Sequence, residues 1–372
     1  MERGPSLDHL TAMTDDVGIM QHAVRDIPDR SHGYCTDDVA RALMTALRAA
    51  ERERYRAEAM RLATIYLAFL VDAQRPDGRF RNFMSYDRRR LDEVGTPDSN
   101  GRAIWALGYG MRFAPRESWR KLCGEMLDRA LPAVFDSAYS RSLAYAAIGL
   151  SYAYLARDCS DSAVAAALRS IVADFTQRHR LTGDEQWDWF ENEMTYDNAR
   201  LCEALLRAGH ALDDERAMRL GMRTLRFYES VVFVGGVFVP IGNNGWYVRG
   251  GNRARYDQQP LEAAGMMDAE LFASSIAAKV GEDEAAHRHF AEQAVGWYHG
   301  RNTRGAEMTR GGGCFDGLEE FRVNPNMGAE STLAYLWSAL AFAPSAERRE
   351  LFFGSLGEEN GENGRIIAGK VF

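Results

Sequence analysis

The chain has 372 residues, with 45 Lys and Arg against 53 Asp and Glu, for a net charge of −8 at pH 7. Hydrophobic residues make up 46% and charged residues 26%, a globular balance that excludes a largely disordered chain. The acidic excess argues against nonspecific nucleic-acid binding, which needs a basic face.

Residues 1–10 carry Glu2, Arg3 and Asp8 and lack an apolar signal core, and no stretch reaches the roughly 18–20 apolar residues that span a bilayer. The expectation is a cytoplasmic protein with neither a membrane nor a nucleic-acid partner. Cys35, Cys123, Cys159, Cys202 and Cys314 are scattered and form no CxxC pair, so neither a zinc site nor a disulfide framework is expected. The prediction is therefore no metal and no cofactor. No Pro/Ser-rich linker interrupts the chain, and one domain over residues 1–372 is the simplest reading.

Along the chain, one pattern recurs. Thr36-Asp37-Asp38-Val39-Ala40-Arg41, Pro97-Asp98-Ser99-Asn100-Gly101-Arg102 and Thr195-Tyr196-Asp197-Asn198-Ala199-Arg200 align without gaps. Ser140-Arg141-Ser142, Tyr256-Asp257-Gln258-Gln259-Pro260 and Asn324-Pro325-Asn326-Met327-Gly328-Ala329-Glu330 share the grammar more loosely. Each reads as a capped helix start followed by a run of small and apolar residues almost all round, which marks a buried helix. Amphipathic, charge-bearing helices are predicted between them, over residues 51–72, 117–130, 161–178, 213–228 and 282–298. A sixth comes from residues 7–24 or 345–353. Six inner and six outer helices make an all-α (α/α)6 toroid. The run Val231–Val239, broken by Gly235-Gly236, predicts a tight β-hairpin on the rim.

Inner helices that run the same way put their N-termini round one mouth. The acids placed there are Asp37, Asp38, Asp98, Asp197, Asp257 and Glu330, with Glu191 and Glu193 in a preceding loop. Tyr34, Trp187, Trp189, Tyr196 and Trp246 accompany them. Aromatic platforms with carboxylates and amides are what a sugar needs, and glycoside cleavage needs a proton donor with a raised pKa beside a second carboxylate. Asp38, Glu193 and Asp257 are the foremost catalytic candidates, with Asp37, Glu191 and Asp197 behind them. His32, Tyr34, Asp98, Arg102, Trp187, Trp189, Tyr196, Trp246, Arg249, Gln258 and Glu330 are the candidate substrate contacts. Arg41, Arg102 and Arg200 recur at one repeat position, where a buried charge must pair with an acid or hold an anion. His287 and His289, two apart on a helix, are expected to be solvated.

The six-fold plan resembles the six-hairpin (α/α)6 glycosidase superfamily. The segments from Gly33 to Leu43, from Tyr196 to Arg200 and from Gly328 to Leu333 look like a bacterial group often labelled glycosyltransferase or glycosidase-like, whose members occur alone or beside glycosyltransferase domains. The resemblance implies a carbohydrate ligand. No nucleotide-sugar domain accompanies it here, which counts against transfer. Gln74-Arg75-Pro76-Asp77-Gly78-Arg79-Phe80 also looks like a turn of prenyltransferase and terpene-cyclase toroids, although the DxDD motif of one cyclase class is absent. The resulting expectation is a glycoside hydrolase acting on an oligosaccharide. The alternatives are a glycoside phosphorylase, with Arg249 or Arg253 holding phosphate, a sugar epimerase, with His32 as its only placed histidine, and a noncatalytic glycan-binding module.

Overall fold

A computed structural model describes residues 4–342. Six inner helices form a ring: α2 (Thr36–Ala50), α4 (Pro97–Phe113), α6 (Ser140–Ala156), α8 (Ala199–Leu212), α10 (Pro260–Val280) and α12 (Ala329–Phe342). Each packs on the next, and α12 packs on α2 to close the ring. Outside lie α1 (Asp8–Met13), α3 (Glu53–Ala73), α5 (Glu117–Val134), α7 (Ser162–Thr182), α9 (Glu215–Val232) and α11 (Glu284–Gly296). The inner helices are buried almost all round, as their small-residue sequences require, whereas the outer ones bury a single stripe.

Closure is made by two arginines of α2 and by Arg52, which follows it. Arg41 reaches Glu330 at the mouth, Arg48 donates to the Trp337 carbonyl at 3.0 Å, and Arg52 donates to the Leu340 carbonyl at 2.7 Å. Within the ring, the neighbours α4 and α6 meet backbone to backbone. A Cβ on Gly101 would lie 2.6 Å from the Ser142 carbonyl oxygen, and one on Gly149 would lie 2.5 Å from that of Ile104. One on Gly108 would run into the Gly149 carbonyl. Gly108→Ala is therefore expected to cost about 1–3 kcal/mol in urea denaturation, because main chain must move to admit the methyl.

Two sequence expectations change. The sixth outer helix is only Asp8–Met13; Met20–Val24 is instead strand β1, paired with β2 (Ile27–Cys35), which in turn pairs with β3 (Phe83–Met84). Met20 and Ala23 are the buried residues of this strand, whose register shifts between Met20 and His22. The alternative segment 345–353 lies outside the described residues. The rim hairpin forms, with Phe233 opposite Phe238 and Gly235-Gly236 both at positive φ, but Val231 and Val232 end α9. No helix among the described residues is long and apolar enough to cross a membrane.

Candidate functional site

The first turns of the inner helices surround a cavity of about 680 Å³ lined by Asp37, Arg41, Asp98, Arg102 and Glu330, with Tyr139, Tyr196 and Trp246. A second lobe of about 370 Å³ shares Asp37, Arg41 and Glu330 and adds His22, Cys35, Asp38 and Asp316. Below them, a void of about 40 Å³ between the helices is lined by Arg102, Trp105, Asp197, Arg200 and Trp337.

The acids at the mouth are not the caps of their helices. The Asp38 amide bonds the Cys35 thiol, and the Ser99 amide bonds the Thr96 hydroxyl, so the carboxylates of Asp37, Asp38 and Asp98 are left for the cavity. The Arg41 guanidinium organises one wall. It lies 2.9 Å from Asp38 Oδ1, 2.6 Å from Glu330 Oε2 and 3.5 Å from Asp37 Oδ1. Burial pushes the Asp38 carboxyl up to about 7; Arg41 opposes the shift, while Glu330 and Asp37 add to it. The Glu330 side chain is 41% exposed and open to a ligand. On another wall, the Tyr196 hydroxyl donates to Asp98 Oδ2 at 2.6 Å, and burial raises the Asp98 carboxyl.

Charges then alternate down the axis. Arg102 lies 2.7 Å from Asp37 and 3.0 Å from Asp197. Arg200 lies 3.5 Å from Asp197, 2.5 Å from Glu203 and 2.8 Å from Asp268. Burial opposes ionisation of Asp197, yet Arg200 and Arg102 hold its carboxyl below the usual carboxylate range. The three repeated arginines thus pair with acids of the inner ring.

Several sequence candidates lie away from the cavity. Trp187 and Trp189 are buried in the wall, against Phe227 and Tyr247 and against Tyr228 respectively. Glu191 faces Arg141 and Ser140, and Glu193 pairs with Val248 in a short ladder. Asp257 is half-buried near Glu319 and Arg322, not with Asp38. Gln258 is fully buried, accepting from Trp297 and donating to the Arg255 carbonyl and Thr303. Tyr34 is buried on Asp15. Arg249 clamps Asp184 and the Thr182 carbonyl, and Arg253 bonds the Val231 and Val239 carbonyls, so neither is free for phosphate. His32 is exposed on β2, with its ring 4.6 Å from that of His22. Asp38, Glu193 and Asp257 therefore do not share one pocket.

Sequence reasoning missed Asn82, Phe83, Tyr139, Asn243 and Gln259, all of which line the larger lobe. Tyr139 and Gln259 immediately precede inner helices, so the helix-start rule, extended by one residue, finds both. A separate groove of about 190 Å³ beside α5 is lined mainly by apolar residues such as Val94, Ile104, Val134 and Leu143, with no pair of acids.

Buried neutral carboxyls also set a stability trend. Glu262 is 2% exposed and accepts from Tyr228 at 3.2 Å; burial first, then Asp197, raises it to about 8. The fold favours the protonated form of Asp38 and Glu262, so their contribution is complete below the ordinary carboxylate range and is lost as pH rises through about 7 and about 8. The urea midpoint is expected to be lower at pH 9 than at pH 7; an equal or higher midpoint at pH 9 would contradict this assignment.

No family model matches the chain, and no curated protein matches it in sequence. Solved structures do resemble it. Cellobiose 2-epimerase from Bacillus thermoamylovorans superposes with a TM-score of 0.68 at 10% identity, covering 91% of this chain and 96% of that one. A D-mannose isomerase gives 0.67 at 11% identity, covering 90% and 94%. An α-mannanase from Bacteroides thetaiotaomicron gives 0.58 at 9% identity, covering 90% and 93%. The chain therefore has the six-hairpin (α/α)6 toroid fold that these enzymes share.

Proposed function

We propose that the chain is a carbohydrate-active enzyme that hydrolyses a glycosidic bond in an oligosaccharide held at the mouth of the toroid. One observation carries the reading: Asp38, Asp37 and Glu330 gather round the Arg41 guanidinium where the two lobes of the mouth adjoin, with Asp38 lining the smaller lobe and Tyr196 and Trp246 the larger. Asp38 gives its proton to the leaving oxygen. Water adds at the anomeric carbon and passes its proton to Glu330, with Asp37 the neighbouring carboxylate. A single guanidinium bridging Asp38 and Glu330 keeps the bonded oxygens within about 8 Å, a span that both glycosidase geometries fit. Tyr196 and Trp246 supply stacking faces, and Asp98, Asn82 and Gln259 supply hydroxyl partners. The solved structures of similar fold, named as sugar epimerases, isomerases and hydrolases, support a carbohydrate ligand.

A second reading, sugar epimerisation or isomerisation, is favoured by His22, which lines the smaller lobe with His32 against it. Incubation of the purified chain with α- and β-linked oligosaccharides, with and without phosphate, separates the readings. Free shorter sugars formed without phosphate support hydrolysis, products of unchanged mass support isomerisation, and a sugar phosphate supports phosphorolysis. Binding without any product leaves a glycan-binding module and removes the enzyme reading. Trp246→Ala is expected to weaken binding of the active sugar about tenfold by calorimetry with the fold intact, since the ring is half-buried at the cavity edge.

A further inference from the structure

Three helices bring Glu229 of α9, Glu270 of α10 and His287 of α11 together inside the wall, away from the residues lining the mouth. One ligand atom from each lies within 4.8 Å of the others. His287 Nδ1 is 2.6 Å from Glu270 Oε2 and 3.8 Å from Glu229 Oε1. Glu270 is 0% exposed and His287 is 4% exposed, while Glu229, at 9%, stands at the solvent edge. Oε1 of Glu270 and Oε1 of Glu229 have no hydrogen-bond partner beyond the facing carboxyl of the pair.

The charge balance differs from that of the acids along the axis. Asp197, Glu203 and Asp268 are buried against arginines. Glu229 and Glu270 have no arginine or lysine within ion-pairing distance among the described residues. Burial raises both carboxyls and lowers His287, so each group alone resists the charge it would carry in water. A divalent cation offsets two carboxylates at once and uses imidazole as a neutral ligand. We propose that Glu229, Glu270 and His287 form a buried structural site for a divalent transition cation, ligated through Glu229 Oε1, a Glu270 oxygen and His287 Nδ1. One imidazole with two carboxylates suits zinc or another first-row ion rather than calcium or magnesium, which favour all-oxygen shells. With metal–ligand bonds of about 2.0–2.1 Å, tetrahedral ligand atoms stand about 3.4 Å apart, so on binding the His287–Glu270 contact of 2.6 Å opens and the His287–Glu229 contact of 3.8 Å closes. Entry is past Glu229, and the ion ties α9 and α11 to α10.

The full chain, stripped with chelator, is titrated with zinc and with cobalt(II) while metal content, visible absorption and Tm are followed. The expected result is one bound ion per chain, a cobalt absorption band characteristic of low coordination, and a Tm raised by a few degrees at saturating metal. His287→Gln, which keeps a hydrogen-bonding side chain, is expected to lose at least tenfold in affinity and the cobalt band. The idea is overturned if the unaltered chain binds no stoichiometric ion, or if His287→Gln binds as tightly. Glu270→Gln distinguishes the competing arrangement of two carboxyls sharing a proton. A Tm for this variant in chelator matching or exceeding that of the metal-saturated chain would assign the cluster to proton sharing and reject the metal.

Discussion

Asp38→Asn is expected to lower kcat on the active oligosaccharide by about 10²–10⁴-fold, the usual loss when a general acid is removed. The amide keeps the size of the carboxyl and can still accept from Arg41, which now lies 2.9 Å from Asp38 Oδ1. In the proposed site, sugar affinity rests mainly on Tyr196, Trp246 and Asp98 and should be retained. The same residue predicts the pH profile. In the proposed mechanism turnover requires the proton on Asp38, so kcat/KM is expected to fall as pH rises through about 7, and that limb to disappear in the variant. An Asp38→Asn protein with undiminished kcat would reject Asp38 as the acid and move attention to Glu330 or Asp37. Loss of turnover together with all sugar binding would instead show that Asp38 holds the substrate.

Arg200→Met is expected to cost about 3–5 kcal/mol of folding stability, the range for breaking a buried ion pair by removing one partner. Asp197, Glu203 and Asp268 are all at most 2% exposed and converge on this one guanidinium. Arg207 remains for Glu203, and Trp337 still donates to Asp268 at 2.5 Å, but Asp197 would keep only Arg102 and Tyr145. Methionine replaces the volume and none of the charge. The rim pair Arg249–Asp184 offers the contrast. It is largely exposed, and Arg249→Met is expected to change stability by about 1 kcal/mol or less. Urea denaturation of both variants tests the ranking, and similar losses would mean that burial does not set the strength of these pairs.

The ring was readable because its two kinds of helix differ in composition. Ala144–Leu150 is small or apolar on every side, whereas Glu215–Val232 carries a polar face. The acids of the first turns were readable for the same reason, since a repeat fixes their position relative to the ring. Loops obey no such period. Gln258 and Gln259 are adjacent, yet the first is fully buried and the second faces the cavity. Trp187 and Trp189 stand among acids, which suggested exposure, but their indoles turn under the loop and pack on α9. The spacing of His287 and His289 correctly put them on different sides of α11; one of those sides is the buried wall, so His287 is not solvated. Composition tells which residues a loop contains, and only the tertiary path tells which way each one turns.

The join between α12 and α2 has a kinetic meaning. In an open array of hairpins, the end units contact one neighbour each and fray first. Here the last unit is fastened to the first by bonds between residues 289, 289 and 288 positions apart in sequence. Contacts so remote are among the slowest to form, because a long loop must close before they repay its entropy. Assembly is therefore expected to finish at this seam. A chain cut before α12 would leave the flank of α2 without its partner, and the circle would be left as a strip with two frayed ends.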